Sequence, residues 1–287
     1  MKSLTLFSLM LLACQGEPPA KPGKAPDPEK APAKPVKAQE PAKAAESIDA
    51  PVKPAKPLDP ADPLSVLDHA SYNTRTQKSY ETKFKAQLTT SGAPLNYDGS
   101  CVWVNPGVIF VHYTASGGDE KMIVRTSLKD AWLFHPLAGV WATADQMGMP
   151  GAARGIQNPD EVLAVVARHP GTAKLVKPGV VELTFGGADI EAVMKEQTSK
   201  DAFDWKESSA TLTLTIDAEN RLQSFTCGAT LKSTAAGVKE KIHYTAEVTV
   251  VAFNGARSLQ FLDEKKRVIP LSSDMKAGIE SVLKEKQ

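Results

Sequence analysis

The chain has 287 residues, 42% of them hydrophobic, and a formal net charge of +1 at pH 7. That length can bury one sizeable core or two small ones. The balanced charge excludes holding nucleic acid or an anionic membrane by charge alone.

The N-terminus reads as an export signal. Lys2 precedes the apolar run LTLFSLMLLA, which falls short of the roughly 20 residues needed to span a bilayer. The run ends in Leu11, Leu12, Ala13 and Cys14, which resembles the bacterial lipobox. The resemblance implies that Cys14 carries acyl chains (palmitate among them) and becomes the new N-terminus. Two or three chains anchor stably where one does not. Gln15, rather than Asp, follows the cysteine. In enteric-type sorting that implies the outer membrane, with the protein facing the periplasm. The alternative is an ordinary secretory signal with an incidental cysteine. Residues 1–13 are thus expected to be signal peptide.

Residues 14–63 are Pro, Ala and Lys with scattered acids, and aromatics are missing. Such a segment cannot bury enough apolar surface to fold alone. Its repeated X-Pro steps favour extended polyproline II, so a disordered, semi-rigid tether is expected.

The folded domain is expected over residues 64–287. Residues 64–75 read as a helix with Asp62 as N-cap and Pro63 in the first turn. Between residues 78 and 141 the chain is rich in β-branched and aromatic residues, broken by Asn105-Pro106-Gly107, Ser116-Gly117-Gly118-Asp119 and Pro136 with Gly139. These are consecutive strands with short connections, which pair antiparallel. In VWVNPGVIFVHY and AWLFHP both parities are apolar, so both sheet faces should meet apolar material. A curved sheet around helices with a hollow would do that, and so would a filled two-layer core.

A Met- and Gly-rich stretch follows, then NPDEVLAVVARHP, a helix capped by Asn158 with Asp160 and Glu161 complementing its dipole. TAKLVKPGVVELTF is a hairpin and ADIEAVMKEQTS a helix. SSATLTLTIDAENRLQSFTCGATLKS is a long hairpin, KIHYTAEVTVVAFNG a long strand, and SSDMKAGIESVLKEKQ a helix capped by Ser272 or Ser273. The predicted class is α+β with one strongly curved antiparallel sheet.

Catalytic and metal patterns are missing. The five histidines show no HxxxH or HxH spacing, although His112 and His135 lie in adjacent strand segments. No GxSxG, phosphate loop, CxxC or paired carboxylate stands out. The chain is not expected to be an enzyme, nor to need a metal or cofactor. Cys101 and Cys227 form an even pair in an exported chain, hence a candidate disulfide closing a long loop at about 2–5 kcal/mol. Two buried free thiols are the alternative.

The layout resembles the LolA/LolB superfamily, which includes the mycobacterial LppX/LprG lipoproteins. YETKFKAQL resembles the opening strand after a helix. SCVWVNPGVIFVHY resembles the hairpin with a Pro-Gly turn, DAWLFHPLAGVW the Trp, Pro, Gly-x-Trp segment, and LTIDAENRLQSFTCGATL the late strand pair. The resemblance implies an incomplete barrel whose hollow takes acyl chains under a helical lid, here residues 160–168 with 147–149. In the family's soluble shuttle an Arg in the strand after the Pro-Gly turn latches that lid. Here Val108, Ile109 and Phe110 occupy the strand.

If there is a hollow, its candidate lining is Trp103, Phe110, Trp132, Phe134, Trp141, Met147, Met149, Val162, Val165 and Val166. The expected function is a monomeric, lipid-anchored envelope protein that binds acyl chains or lipoprotein cargo by apolar burial. The alternative is a periplasmic sensor or protein-interaction module on the same fold, its interior filled by its own side chains.

Overall fold

The computed structural model describes residues 53–105, 107–118, 120–126, 131–135, 139–144, 146, 159–194, 204–234, 240–255, 261–262 and 268–284. In chain order these form helix α1 (Pro63–Arg75) and strands β1 (Ser79–Thr89), β2 (Leu95–Val104), β3 (Val108–Ala115), β4 (Glu120–Arg125), β5 (Ala131–His135) and β6 (Val140–Thr143). Helix α2 (Pro159–Arg168), β7 (Thr172–Lys177), β8 (Val180–Phe185) and α3 (Gly187–Met194) come next. Then come β9 (Ser209–Ile216), β10 (Leu222–Ser233), β11 (Glu240–Phe253), a small hairpin of β12 (Phe261–Leu262) and β13 (Val268–Ile269), and α4 (Ser273–Lys284).

Eleven strands make one antiparallel sheet in the order β6-β5-β4-β3-β2-β1-β11-β10-β9-β8-β7. Each half is a meander, and the halves join where β1 pairs with β11. The sheet stays open, with β6 and β7 at its edges. The β7 edge carries Lys174 and Lys177 and a register shift between Leu175 and Lys177, two features that discourage pairing with another chain. The expected α+β class and open half-barrel are both observed.

Alternation decides which residues face the helices. In β1, Tyr80, Thr82, Phe84, Ala86 and Leu88 point inward, while Lys83, Lys85 and Gln87 point to solvent. Ala210, Leu212, Leu214 and Ile216 do the same in β9, and Ile242, Tyr244, Ala246 and Val248 in β11. The apolar inward residues join Val66, Leu67 and Ala70 of α1 and Val162, Leu163, Val165 and Val166 of α2 in the main core. Asp62 caps α1 by accepting the Leu64 N–H at 3.0 Å. The buried Thr74 hydroxyl accepts the Leu222 N–H at 2.8 Å, fastening the end of α1 to the start of β10.

The apolar residues on both parities of β3 and β4 have a specific cause. Ile109, Val111 and Ile123 face the main core. Val108, Phe110, Met122 and Val124 face the other way, into a second core closed by Met275 and Ile279 of α4. The C-terminal helix thus covers the outer face of this half of the sheet. Ser272 caps it, its hydroxyl accepting the Met275 N–H at 3.3 Å.

Candidate binding face

The inner face of the sheet positions the site. Its register lines up Arg125, Ile109, Trp103, Tyr80 and Phe253 across β4, β3, β2, β1 and β11. The Tyr80 and Trp103 rings stack at 4.7 Å and 13°, and Phe253 meets Tyr80 edge-on at 6.4 Å. Arg221 lies over Phe253 at 4.4 Å from the ring centre and closes the row with a cation–π contact.

Helix α2 lies over this floor with every residue from Pro159 to Val166 buried. Two ion pairs hold its first turn. Arg75, at the end of α1, gives its Nε–H to Asp160 Oδ1 at 2.7 Å, with both side chains 7% exposed. Arg125, on β4, donates from Nη2 to Glu161 Oε1, with side chains 3% and 1% exposed. The Asp160 N–H, one of the donors a helix leaves unmatched at its start, is accepted by the Tyr80 hydroxyl at 3.1 Å. Burial, with the Asp160 charge beside it, pushes the Tyr80 phenol well above its usual range.

This latch was hidden in the sequence. Asp160 and Glu161 read there as dipole partners, and neither arginine was singled out. The available signal was parity: Arg125 follows the apolar Met122, Ile123 and Val124 and shares the inward side of β4 with Ile123.

The expected lining residues divide between the two faces. Trp103, Val162, Val165 and Val166 meet in the main core. Phe110, Trp132, Phe134 and Trp141 do not reach it; they belong to the outer core with α4, because their parity on β3, β5 and β6 is outward. Trp141 donates its Nε1–H to the Pro270 carbonyl at 3.1 Å. Trp132 rests against the backbone of α4 at Gly278, where a β-carbon would come within 3.3 Å of the ring. Met147, Met149 and Cys14 lie outside the described residues.

The expected disulfide is corrected. Cys101 and Cys227 are both free and buried. Cys101 is on β2 and Cys227 on β10, with β1 and β11 between them. Three strand spacings separate the two by roughly 14 Å, while a disulfide requires Cα atoms within about 7 Å. Burial pushes both thiols up to about 12. His112 and His135 are not neighbours either, since β4 lies between their strands. His112 Nε2 instead lies 2.5 Å from Glu120 Oε1.

An opening of about 150 Å3 remains between α1 and α2, lined by Leu64, Leu67, Leu163 and Val166 among others. Ligand sites usually span about 300–1,000 Å3, so this opening is smaller than a usual ligand site while α2 is in place. A larger trough of about 940 Å3 lies on the outer face beside Lys85, Gln87, Asp98, Thr226, Thr245 and Glu247. Its outward side chains are polar, and the Lys85–Asp98 pair there is exposed at 3.8 Å. Among the described residues no group of three His, Cys, Asp or Glu is placed to hold a metal. No described helix is long and apolar enough to cross a membrane.

In structure the chain is similar to LprF from Mycobacterium bovis, with 11% identity, coverage of 69% of this chain and 95% of that one, and a TM-score of 0.35. It is also similar to a LolA superfamily protein from Nitrosomonas europaea, with 10% identity, 66% and 94% coverage, and a TM-score of 0.30. A third similarity is to the Pseudomonas aeruginosa MucA/MucB complex, with 14% identity, 74% and 64% coverage, and a TM-score of 0.30. No protein-family model and no curated protein sequence matches the chain.

Proposed function

We propose that the domain is the carrier module of a lipid-anchored envelope protein, holding an acyl chain or acylated cargo on its inner face in place of α2. Lipidated Cys14 would anchor it, and the Pro/Ala/Lys tract would set its distance from the membrane, most simply the outer membrane.

The burial of α2 carries this reading. An apolar helix sits on an apolar floor, and its charged grip is concentrated in the first turn. Burying Val162, Leu163, Val165 and Val166 is worth about 1.5–3 kcal/mol each, so roughly 6–12 kcal/mol together as an upper estimate. A sixteen-carbon chain, at about 0.8 kcal/mol per methylene, offers about 12 kcal/mol. Helix and acyl chain are therefore near-equal competitors for one apolar surface. An exchange close to balance is what loading and release require.

Native mass spectrometry of the full chain, extracted in mild detergent, tests the proposal. One acyl lipid per chain is expected beyond the anchor, with higher occupancy in Glu161→Gln, where the helix is held less firmly. Empty protein in both forms would overturn it.

The small opening between α1 and α2 favours a second reading. In it the inner face stays closed and the domain works as a periplasmic sensor or protein-interaction module. Lipid-free protein whose α2 amides exchange only on global unfolding would support that reading.

A further inference from the structure

The start of α2 has the chemistry of an anionic amphiphile. Asp160 and Glu161 are two adjacent carboxylates, and Val162 to Val166 form the apolar rod behind them. Their partners come from separate elements, Arg75 from α1 and Arg125 from β4. We propose that Arg75 and Arg125 are the headgroup site for an anionic acyl lipid, one ending in a carboxylate or phosphate, and that α2 occupies this site in the empty protein. The inference rests on the carrier reading and adds the ligand's charge class to it.

The argument follows from what the departure of α2 leaves behind. Two guanidinium groups would face the inner surface without the carboxylates that now neutralise them. A buried charge that loses its partner is strongly unfavourable. A neutral lipid could fill the apolar floor but would put nothing in place of the two carboxylates. An anionic headgroup restores the pairing, and the planar guanidinium matches carboxylate and phosphate oxygens two at a time. Tyr80 fits the same exchange. Its hydroxyl accepts the Asp160 N–H in the closed form, and the same hydroxyl can donate to an anion once that helix has gone. The floor supplies apolar contact behind the headgroup through Trp103 and Ile109.

Binding of three probes with one chain length tests this on the full-length protein: palmitate, hexadecyl phosphate and methyl palmitate, the last identical in chain but uncharged. Removing one arginine alone would take the paired cation from a buried carboxylate, so the variants remove pairs. These are Arg125→Met with Glu161→Leu, Arg75→Met with Asp160→Leu, and all four together, each checked for folding by circular dichroism. Wild type should bind both anions about tenfold or more tighter than the ester. The fourfold variant should lose that preference and still take up methyl palmitate. Preference for only one of the two anions would narrow the headgroup to that chemistry and still support the site. Equal binding of ester and anions by wild type would overturn the headgroup site and leave the carrier reading standing, as would an anion preference that survives loss of both arginines. Failure to bind any probe would remove both.

Discussion

Tyr80 and Asp160 meet across the core, the phenol oxygen of β1 accepting the backbone N–H of α2 at 3.1 Å. The contact joins the stacked floor to the helix above it. Tyr80→Phe keeps the ring on Trp103 but leaves that N–H buried without its acceptor. A loss of about 1–3 kcal/mol is expected in urea unfolding. Amide exchange in α2 should speed up more than in β9 or β10, because the loss lies on the helix side.

The two ion pairs should behave as coupled units. Arg125→Met alone removes the cation paired with the buried Glu161, and about 3–5 kcal/mol of destabilisation is expected. Pairing it with Glu161→Leu should restore most of that, since an apolar pair of similar size suits the site. A double-mutant cycle by chemical denaturation measures the difference. Additive losses would show that the pair is not a unit.

The buried thiols predict an alkaline limit to stability. Cys101 and Cys227 are each raised from about 9 to about 12 by burial. Below pH 9 they are protonated in folded and unfolded chain alike and contribute no pH dependence. Above it the unfolded chain ionises first, so stability falls as pH rises towards 12, by about 1.4 kcal/mol per pH unit for each thiol. Tyr80, raised by burial, and Tyr113, raised to about 12 chiefly by burial and next by Tyr97, add to the fall above about pH 10. Urea midpoints at pH 7, 9.5 and 10.5 check the trend. Thiol reagents at pH 7 should label both cysteines only after unfolding.

The outer core predicts a separation of effects. Phe110→Glu places a charge beneath α4, next to Met275 and Ile279. It should release the C-terminal helix and expose Trp132 and Trp141, seen as a red shift in tryptophan emission. Acyl-lipid uptake on the opposite face should persist. Phe84→Glu, on the inner side of β1, should abolish uptake or folding.

The strands, helices and antiparallel pairing were legible because each rests on local patterns: alternation in β1 and β9, the Asp62-Pro63 cap, and the turn at Asp217, whose carboxylate accepts the Glu219 and Arg221 N–H groups. The double-sided apolarity of β3 was legible too, but its cause was not. Val108 and Phe110 face a helix more than 160 residues further on, and local periodicity carries no such information. The Arg75–Asp160 and Arg125–Glu161 pairs were hidden for the same reason. A single charge in a strand or a helix turn has an ordinary local reading, and only the register of β4 under α2 makes it a clasp.

The strand order also constrains how the chain can fold. Leu88 pairs with Tyr244 across more than half of the sequence, and this long-range seam lies in the middle of the sheet. Either meander can zip up from neighbour to neighbour, but β1 waits with one bare edge until β11 has been synthesised. Topologies with such distant pairings fold slowly. Until the seam closes, Phe84 and Leu88 on one bank and Tyr244 and Val248 on the other remain open to aggregation, so the hazardous interval for this chain falls late in its biogenesis.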